Sequence, residues 1–439
     1  MAAAPGGNPA PPSPLAVLAH RDFRFYAASR FLVTVAIQMQ GLAVGYQVYE
    51  RTHRKIDLAY VGLAQFFPII GLSIVAGQLA DRVDRRLILI GCSVVFAVVA
   101  LAFYLLSHSA DPSLGAILCL LALVGAARSF YGPAGSSLLP SLVPRDQLTS
   151  AVSWHSMLWQ GAAIGGPSLG GLVYAAGGSP GPVYLVTAAL VVCGGALFTG
   201  IRTRPGKGER PPATLETALA GVRYVNKHKI LLGAISLDFL AVFLGGATAL
   251  LPVYATDILH VGPHGFGVMR SAPAIGAGIV AAYLAIRPLG RHAGIKMLGG
   301  VAVFGAATVV FGLSRWFGLS VAMLGLLGAA DMVSVVVRTT LIQSATPPEM
   351  RGRVSAVNLM FVGASNELGE FESGALAEWL GTVPSVVLGG VGTLAVVLLW
   401  AWQFPSLGRV DRLEDVKPER PVPNNPPSQE DVDDGNVQR

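Results

Sequence analysis

Charge is what this sequence has least of. Asp, Glu, Lys and Arg make up 13% of its 439 residues, against 53% hydrophobic side chains. Soluble domains carry about 25% charged residues, so the two or three soluble domains that the length alone would allow are excluded. Cysteine is also scarce. Cys92, Cys119 and Cys193 all lie in apolar runs without metal-ligand spacing, so they read as small packing residues, and neither a metal nor another cofactor is expected. No Gly-x-x-x-x-Gly-Lys-Ser/Thr loop occurs, which removes ATP as a drive by that route. No zinc-type or Ser-His-Asp constellation stands out, so the chain does not read as an enzyme. The first residues, "MAAAPGGNPAPPSPLAVLAH", lack a basic n-region and an apolar h-region, and read as a disordered lead rather than a signal peptide.

What is abundant is long apolar sequence, with a mean hydropathy of +0.58. Apolar spans fall at about 24–48, 57–79, 87–107, 114–138, 151–176, 181–201, 231–256, 265–287, 293–313, 318–342, 354–378 and 382–404. A bilayer core about 30 Å thick needs roughly 20 helical residues per crossing. Only helices or closed barrels satisfy the backbone in lipid, and continuous runs of this length are helices. The expected fold is therefore an all-α integral membrane protein with 12 transmembrane helices.

The net charge of +6 is a topology signal rather than a nucleic-acid footprint. With the N-terminus cytoplasmic, inside segments hold 23 of the 31 basic residues and outside loops hold four: Arg51, Arg54, Lys55 and Arg315. The remainder, Arg30, Arg128, Arg270 and Arg338, lie within spans. Both termini are then cytoplasmic, and the basic loops have some attraction for anionic membrane lipid.

The sequence also repeats. Shifted by 205 residues, "PIIGLSIVAGQLADRVDRR" (68–86) falls on "PAIGAGIVAAYLAIRPLGR" (273–291) with about half the positions identical, Pro68 on Pro273 and Arg86 on Arg291 among them. Shifted by 203, "GAAR" (125–128) meets "GAAD" (328–331). The expected organisation is a disordered lead (1–20), a six-helix half (21–201), a basic cytoplasmic linker loop (202–229), a second six-helix half in the same orientation (230–405) and a disordered cytoplasmic tail (406–439). Parallel halves about an axis along the membrane normal form a transporter architecture, with the substrate site between them near the midplane.

"GQLADRVDRR" (77–86) concentrates five formal charges in ten residues between two apolar runs. It resembles the signature loop of the major facilitator superfamily, Gly-x-Leu-Ala-Asp-Arg-x-Gly-Arg-Arg/Lys: Gly77, Leu79, Ala80, Asp81, Arg82, Arg85 and Arg86 match, and Asp84 stands where the pattern has Gly. The resemblance implies a gating latch, built on Gly77, Asp81, Arg82, Arg85 and Arg86, that stabilises the outward-open form. Gly77 would let two helices approach closely. The second copy keeps Arg287 and Arg291 but has Ile286 in place of Asp81, which makes the latch one-sided. The bland alternative is a basic loop that only holds topology.

Span 5 carries "AAIGGPSLGG" (162–171), similar to the superfamily's antiporter motif at Gly166, Pro167, Gly170 and Gly171, with Ala162 replacing the first Gly. The physical reading is a kinked, closely packing helix; ordinary small-residue packing is the alternative. "HRDFRFYAASRF" and "LGEFESG" resemble the bacterial exporter branch, the one related to the enterobactin exporter and to drug–proton antiporters.

Ionisable residues inside the membrane cost at least about 2.5–3.5 kcal/mol on insertion scales, so each pairs or lines a cavity. Glu367 and Glu370 sit at i, i+3 and face the same way. Two carboxylates that close cannot both ionise easily in low dielectric, which suits proton coupling; neutralising Arg128, Arg338 or another buried base is the alternative. Asp238 is the only acid deep in span 7 and a candidate proton or cation site. Asp331 and Arg338 lie two turns apart, too far for a direct pair along the helix. Arg128 corresponds loosely to the span-4 Arg of drug–proton antiporters, and Gln40 shares a face with Gln47. Arg30 reads as a residue that snorkels to the inner surface.

These features read as a monomeric secondary active transporter of the bacterial inner membrane, exporting a drug-like molecule, siderophore or metabolite in exchange for protons. The alternatives are a facilitator, importer or lipid-related flippase of the same fold, or a non-transporting membrane sensor.

Overall fold

The computed structural model describes residues 15–109, 113–203, 215–287, 289–413 and 416, and among these the chain is helical, without a strand. The helices are α1 (Arg21–Thr52), α2 (Lys55–Arg82), α3 (Arg85–Ser107), α4 (Leu114–Leu138), α5 (Leu148–Gly177), α6 (Gly181–Thr199), α7 (Leu215–Lys227), α8 (Lys229–Leu244), α9 (Leu251–Val253), α10 (Gly262–Ile286), α11 (Ala293–Leu313), α12 (Phe317–Ala345), α13 (Pro348–Leu380), α14 (Thr382–Gln403) and α15 (Pro405–Gly408). Local chemistry sets several ends. Asp84 caps α3 by accepting the Arg86 N–H at 2.9 Å. Gly178, at φ 63°, ends α5 in the left-handed region that favours glycine.

Ten helical stretches among the described residues are long and apolar enough to cross a membrane. The other two expected spans are helices too, α5 with 30 residues and α13 with 33. Their lower hydropathy has a structural reason. α5 packs on α1 and α10, and α13 on α2 and α8, so each lies along the seam between the two helix sets, where polar side chains meet another helix across it.

The contact pattern repeats as the sequence does. α1 packs on α5 and α6, α2 on α4, and α3 on α4 and α6; correspondingly, α8 packs on α13 and α14, α10 on α12, and α11 on α12 and α14. The two sets meet through α5 against α10, α2 against α13, and α1 against α9 and α10.

Three features depart from expectation. The apolar run 231–256 is not one helix: α8 stops at Leu244, and a 3-10 turn (Ala247–Leu250), α9 and a π turn (Tyr254–Ile258) follow. A Cβ at Gly246 would stand 2.4 Å from the Gly369 carbonyl oxygen, so the break occurs where the backbone meets α13 without room for a side chain. Second, the linker read as a loop contains α7, which packs on α13; Tyr224 donates to the Ala345 carbonyl at 3.1 Å. Third, the lead and tail contribute ordered chain. Val17 is buried in a 3-10 turn (Ala16–Ala19), and Asp411 accepts from Arg291 Nε and from the His292 N–H, both at 2.9 Å.

Candidate functional site

The seam between the two helix sets is sealed from one end to about its middle. Gly166 and Gly170 of the antiporter-like motif face α1: Cβ atoms there would stand 2.6 Å from Gln38 Cβ and 3.1 Å from Met39 Cα. Gly171 faces across the seam, where a Cβ would lie 2.6 Å from the Pro263 carbonyl oxygen, and one at Gly267 would lie 2.7 Å from that of Pro167. Where the backbones come this close, Ser168 and Ser271 hydroxyls meet at 2.9 Å and Gln160 donates to the Ala274 carbonyl at 2.6 Å. At the sealed end Tyr49 donates to Asp257 at 2.5 Å. Glu378 accepts the Lys55 and Ile56 N–H groups at 2.9 and 3.3 Å, so α13 of one set caps the N-terminus of α2 in the other.

At the inner limit of the seal lies a polar cluster. Gly62 of α2 has both acids of α13 against it: Glu367 Oε2 and Glu370 Oε2 are each 3.4 Å from the position of a Gly62 Cβ. Arg270 of α10 lies 3.9 Å from Glu370 and donates to the Thr248 carbonyl at 3.2 Å, within the 3-10 turn of the broken seventh span. One turn beyond Gly62, Gln65 accepts from Arg128 of α4 at 3.2 Å. Glu367 is within electrostatic reach of Glu370, Arg128 and Arg270. The Arg270 and Glu370 side chains are 40% and 27% exposed, so the cluster is wetted while its walls are apolar helices. Two acids and two cations, held across both helix sets beside an interrupted helix, can exchange protons and hold a charged or hydrogen-bonding ligand.

Toward the end that carries both termini, the seam has no cross-set hydrogen bond or ion pair among the described residues beyond the level of Gln160. Large apolar side chains there are exposed, Phe67 on α2 and Leu359 and Met360 on α13 among them. Among the described residues, this end of the seam lacks the polar contacts that hold the other end. The signature loop also lies here. The Asp81 side chain falls outside the described residues. Arg85 donates to the Ser137 carbonyl at 3.2 Å and Arg86 to the Thr199 carbonyl, bracing the ends of α4 and α6 in the first set. Arg82 is exposed at the end of α2. A Cβ at Gly77 would meet nothing within 4 Å, so the close approach expected at this glycine is absent among the described residues.

The remaining candidates separate from the cluster. Asp238 and Arg338 form an ion pair between α8 and α12, both buried, with Ser334 donating to Asp238 at 3.2 Å. Asp331 lies on α12 two turns before Arg338 and has no hydrogen bond or ion pair among the described residues. Gln40 and Gln47 are both buried in α1, and Gln47 accepts from Tyr184 at 2.5 Å. Arg30 does not snorkel: its guanidinium stacks 4.3 Å from the Tyr131 ring centroid and donates to the Tyr131 carbonyl at 3.3 Å. Arg270 and Gln65 were missed as site residues. The signal that points to the broken helix is the Gly245–Gly246 pair inside an apolar run.

The fold and the cluster define a class: a multi-pass membrane transporter of two similar helix sets around a central, wetted polar site. Comparison places it further. Residues 12–436 match the family described as transmembrane secretion effector, and the chain belongs to it, within the exporter branch of the major facilitator superfamily. It is 26% identical to the enterobactin exporter EntS of Citrobacter koseri over 390 residues, covering 87% of this chain and 91% of that protein. The enterobactin exporter EntS of Shigella dysenteriae is 26% identical over the same shares. Among solved structures, a bacterial homologue of the human lysosomal transporter Spinster, inward-facing and occupied, superposes with a TM-score of 0.68 at 13% identity, covering 94% of this chain and 100% of that one. A POT family transporter in complex with 5-aminolevulinic acid superposes at 0.69 and 12% identity, covering 88% and 96%. The protein is a secondary transporter that exports a small molecule.

Proposed function

We propose that export is driven by proton entry, that Glu367 and Glu370 carry the protons, and that the structure is the inward-facing state of an alternating-access cycle. In this reading the protein works as a monomer in the bacterial inner membrane, and the open, terminus-bearing end faces the cytoplasm. The observation that carries the reading is the convergence of both carboxylates on Gly62 at the inner limit of the seal. Opening the opposite end separates α2 from α13, so the acids pass from one aqueous side to the other, as a coupled carrier requires. The basic bias of the terminus-bearing end supports the orientation. The name of the enterobactin exporters supports a siderophore-like substrate, and Arg128 and Arg270 beside the acids suit its oxygen-rich, acidic groups.

The test uses protein in liposomes loaded with a fluorescent substrate analogue. An imposed pH gradient should drive flux in the native protein, and Glu367→Gln/Glu370→Gln should lose the pH-driven component, at least about tenfold, while still binding the analogue. Gradient-driven flux that survives the double substitution removes the pair as the coupling site.

A further inference from the structure

The two helix sets share a surface groove as well as a sequence repeat. Between α2, α3 and α4 lies an apolar furrow of about 350 Å³, and between α10, α11 and α12 lies one of about 700 Å³. They are the same groove. At the 205-residue shift Leu79 corresponds to Leu284 and Gly91 to Lys296; at 203, Ala126 corresponds to Ala329 and Phe130 to Val333; each of these residues lines its furrow.

The differences between the copies are directional. Val333 stands where the first groove has Phe130, and Gly300 where it has Val95, which makes the second furrow wider. Lys296 stands where the first has Gly91, and Arg287 joins it at the end nearest the termini. Among the described residues, no charged side chain lines the first groove. Lys296 and Arg287 are both exposed, and neither forms an ion pair among the described residues. Among the described residues Lys296 donates only to the Leu289 carbonyl, and the acid across the turn, Asp411, is taken by Arg291 and His292. The walls, Val303 and Leu326, are exposed apolar side chains on the outer surface.

We infer that the furrow between α10, α11 and α12 binds an anionic phospholipid, with an acyl chain in the apolar trough and the phosphate between Arg287 and Lys296. A volume of about 700 Å³ is that of a ligand site rather than a packing defect. Two unpaired cations at one end of an apolar trough complement one chemistry, a long apolar tail with an anionic head, and the surrounding surface is the one that lipid covers. The first groove, narrow and without a cation, serves as the internal contrast.

Native mass spectrometry of the purified, delipidated protein tests this with dioleoyl phosphatidylglycerol and dioleoyl phosphatidylcholine as probes. The native protein should retain the anionic lipid roughly fivefold over the zwitterionic one. Lys296→Gly, which installs the first-groove residue, should remove that preference. Gly299→Leu should abolish the retained lipid, because a Cβ there meets nothing within 4 Å and the larger side chain fills the trough without a clash; Val333→Phe is the second filling variant. Equal retention of the two lipids by the native protein overturns the inference, as does undiminished anionic retention in the filled variants. Displacement of the lipid by glycerol 3-phosphate overturns it as well, since the head group alone would then be the ligand.

Discussion

Neutralising Asp238 alone would leave Arg338, 3% exposed, charged and without its carboxylate partner. Breaking a buried pair from one side costs about 3–5 kcal/mol, whereas replacing both partners by apolar side chains of similar volume is often neutral. Asp238→Asn should therefore lower the melting temperature and membrane yield sharply, and Asp238→Leu/Arg338→Met should recover most of both. Thermal unfolding in detergent reads this. A stable Asp238→Asn variant that loses only proton coupling would return Asp238 to the role its isolation in span 7 suggested. The acid itself was legible because one charge in an apolar run stands out. Its partner was not: Arg338 lies 100 residues further on, in a helix whose rotation about its axis no apolar-all-round sequence records. Glu367 and Glu370 were legible as a pair because three residues along one helix fix a shared face. Arg270, on a different helix, was not.

The glycines of α5 differ in what surrounds them, and the element's packing follows from that difference. A Cβ at Gly165 meets nothing within 4 Å, whereas one at Gly171 meets the Pro263 carbonyl at 2.6 Å, a backbone atom that cannot swing aside. Gly171→Ala should push α5 and α10 apart at the sealed end, costing about 1–3 kcal/mol as other overpacked sites do, while Gly165→Ala should be silent. Ser168 and Ser271 give the readout, since their hydroxyls meet at 2.9 Å across the same seam. A disulfide between Ser168→Cys and Ser271→Cys should form readily in the native background and with Gly165→Ala, and slowly with Gly171→Ala. Equal rates in all three would mean that the seam does not depend on this glycine. The motif's spacing showed a closely packing helix; which helix each glycine serves needed the structure. α7 escaped a reading by composition because the segment 202–214 is rich in Pro, Gly and basic residues and colours the whole linker. The break after Leu244 escaped it because hydropathy averages over a turn of a few residues.

At the scale of the whole molecule, the sealed end rests on two cross-set contacts that involve carboxylates: Tyr49 on Asp257, and Glu378 on the N-terminus of α2. Both must break for the halves to rock open on that side. Hydrogen bonds to charged groups contribute about 1.5–3 kcal/mol each, so removing one shifts a two-state equilibrium by roughly tenfold or more. Asp257→Asn/Glu378→Gln should therefore populate the state open at the sealed end, since the neutral side chains accept more weakly and the contacts beneath them stay intact. Spin labels report both ends at once. Ser136 and Thr339 are exposed near the open end in opposite helix sets, and Ser109 and Arg315 are exposed at the sealed end. Pulsed dipolar distances should shorten between labels at Ser136 and Thr339 and lengthen between labels at Ser109 and Arg315 in the same variant, because two rigid halves that rock about a central site move their ends in opposite senses. A lengthening at the sealed end without the matching closure at the other would mean that the end has frayed locally, and the halves would not then move as rigid units. Adding Glu367→Gln/Glu370→Gln to this variant separates the gate from the proposed coupling site: a gate that opens to the same extent with the acids neutralised is governed by Asp257 and Glu378, whereas further opening on neutralisation means that the charge at Gly62 also holds the halves together.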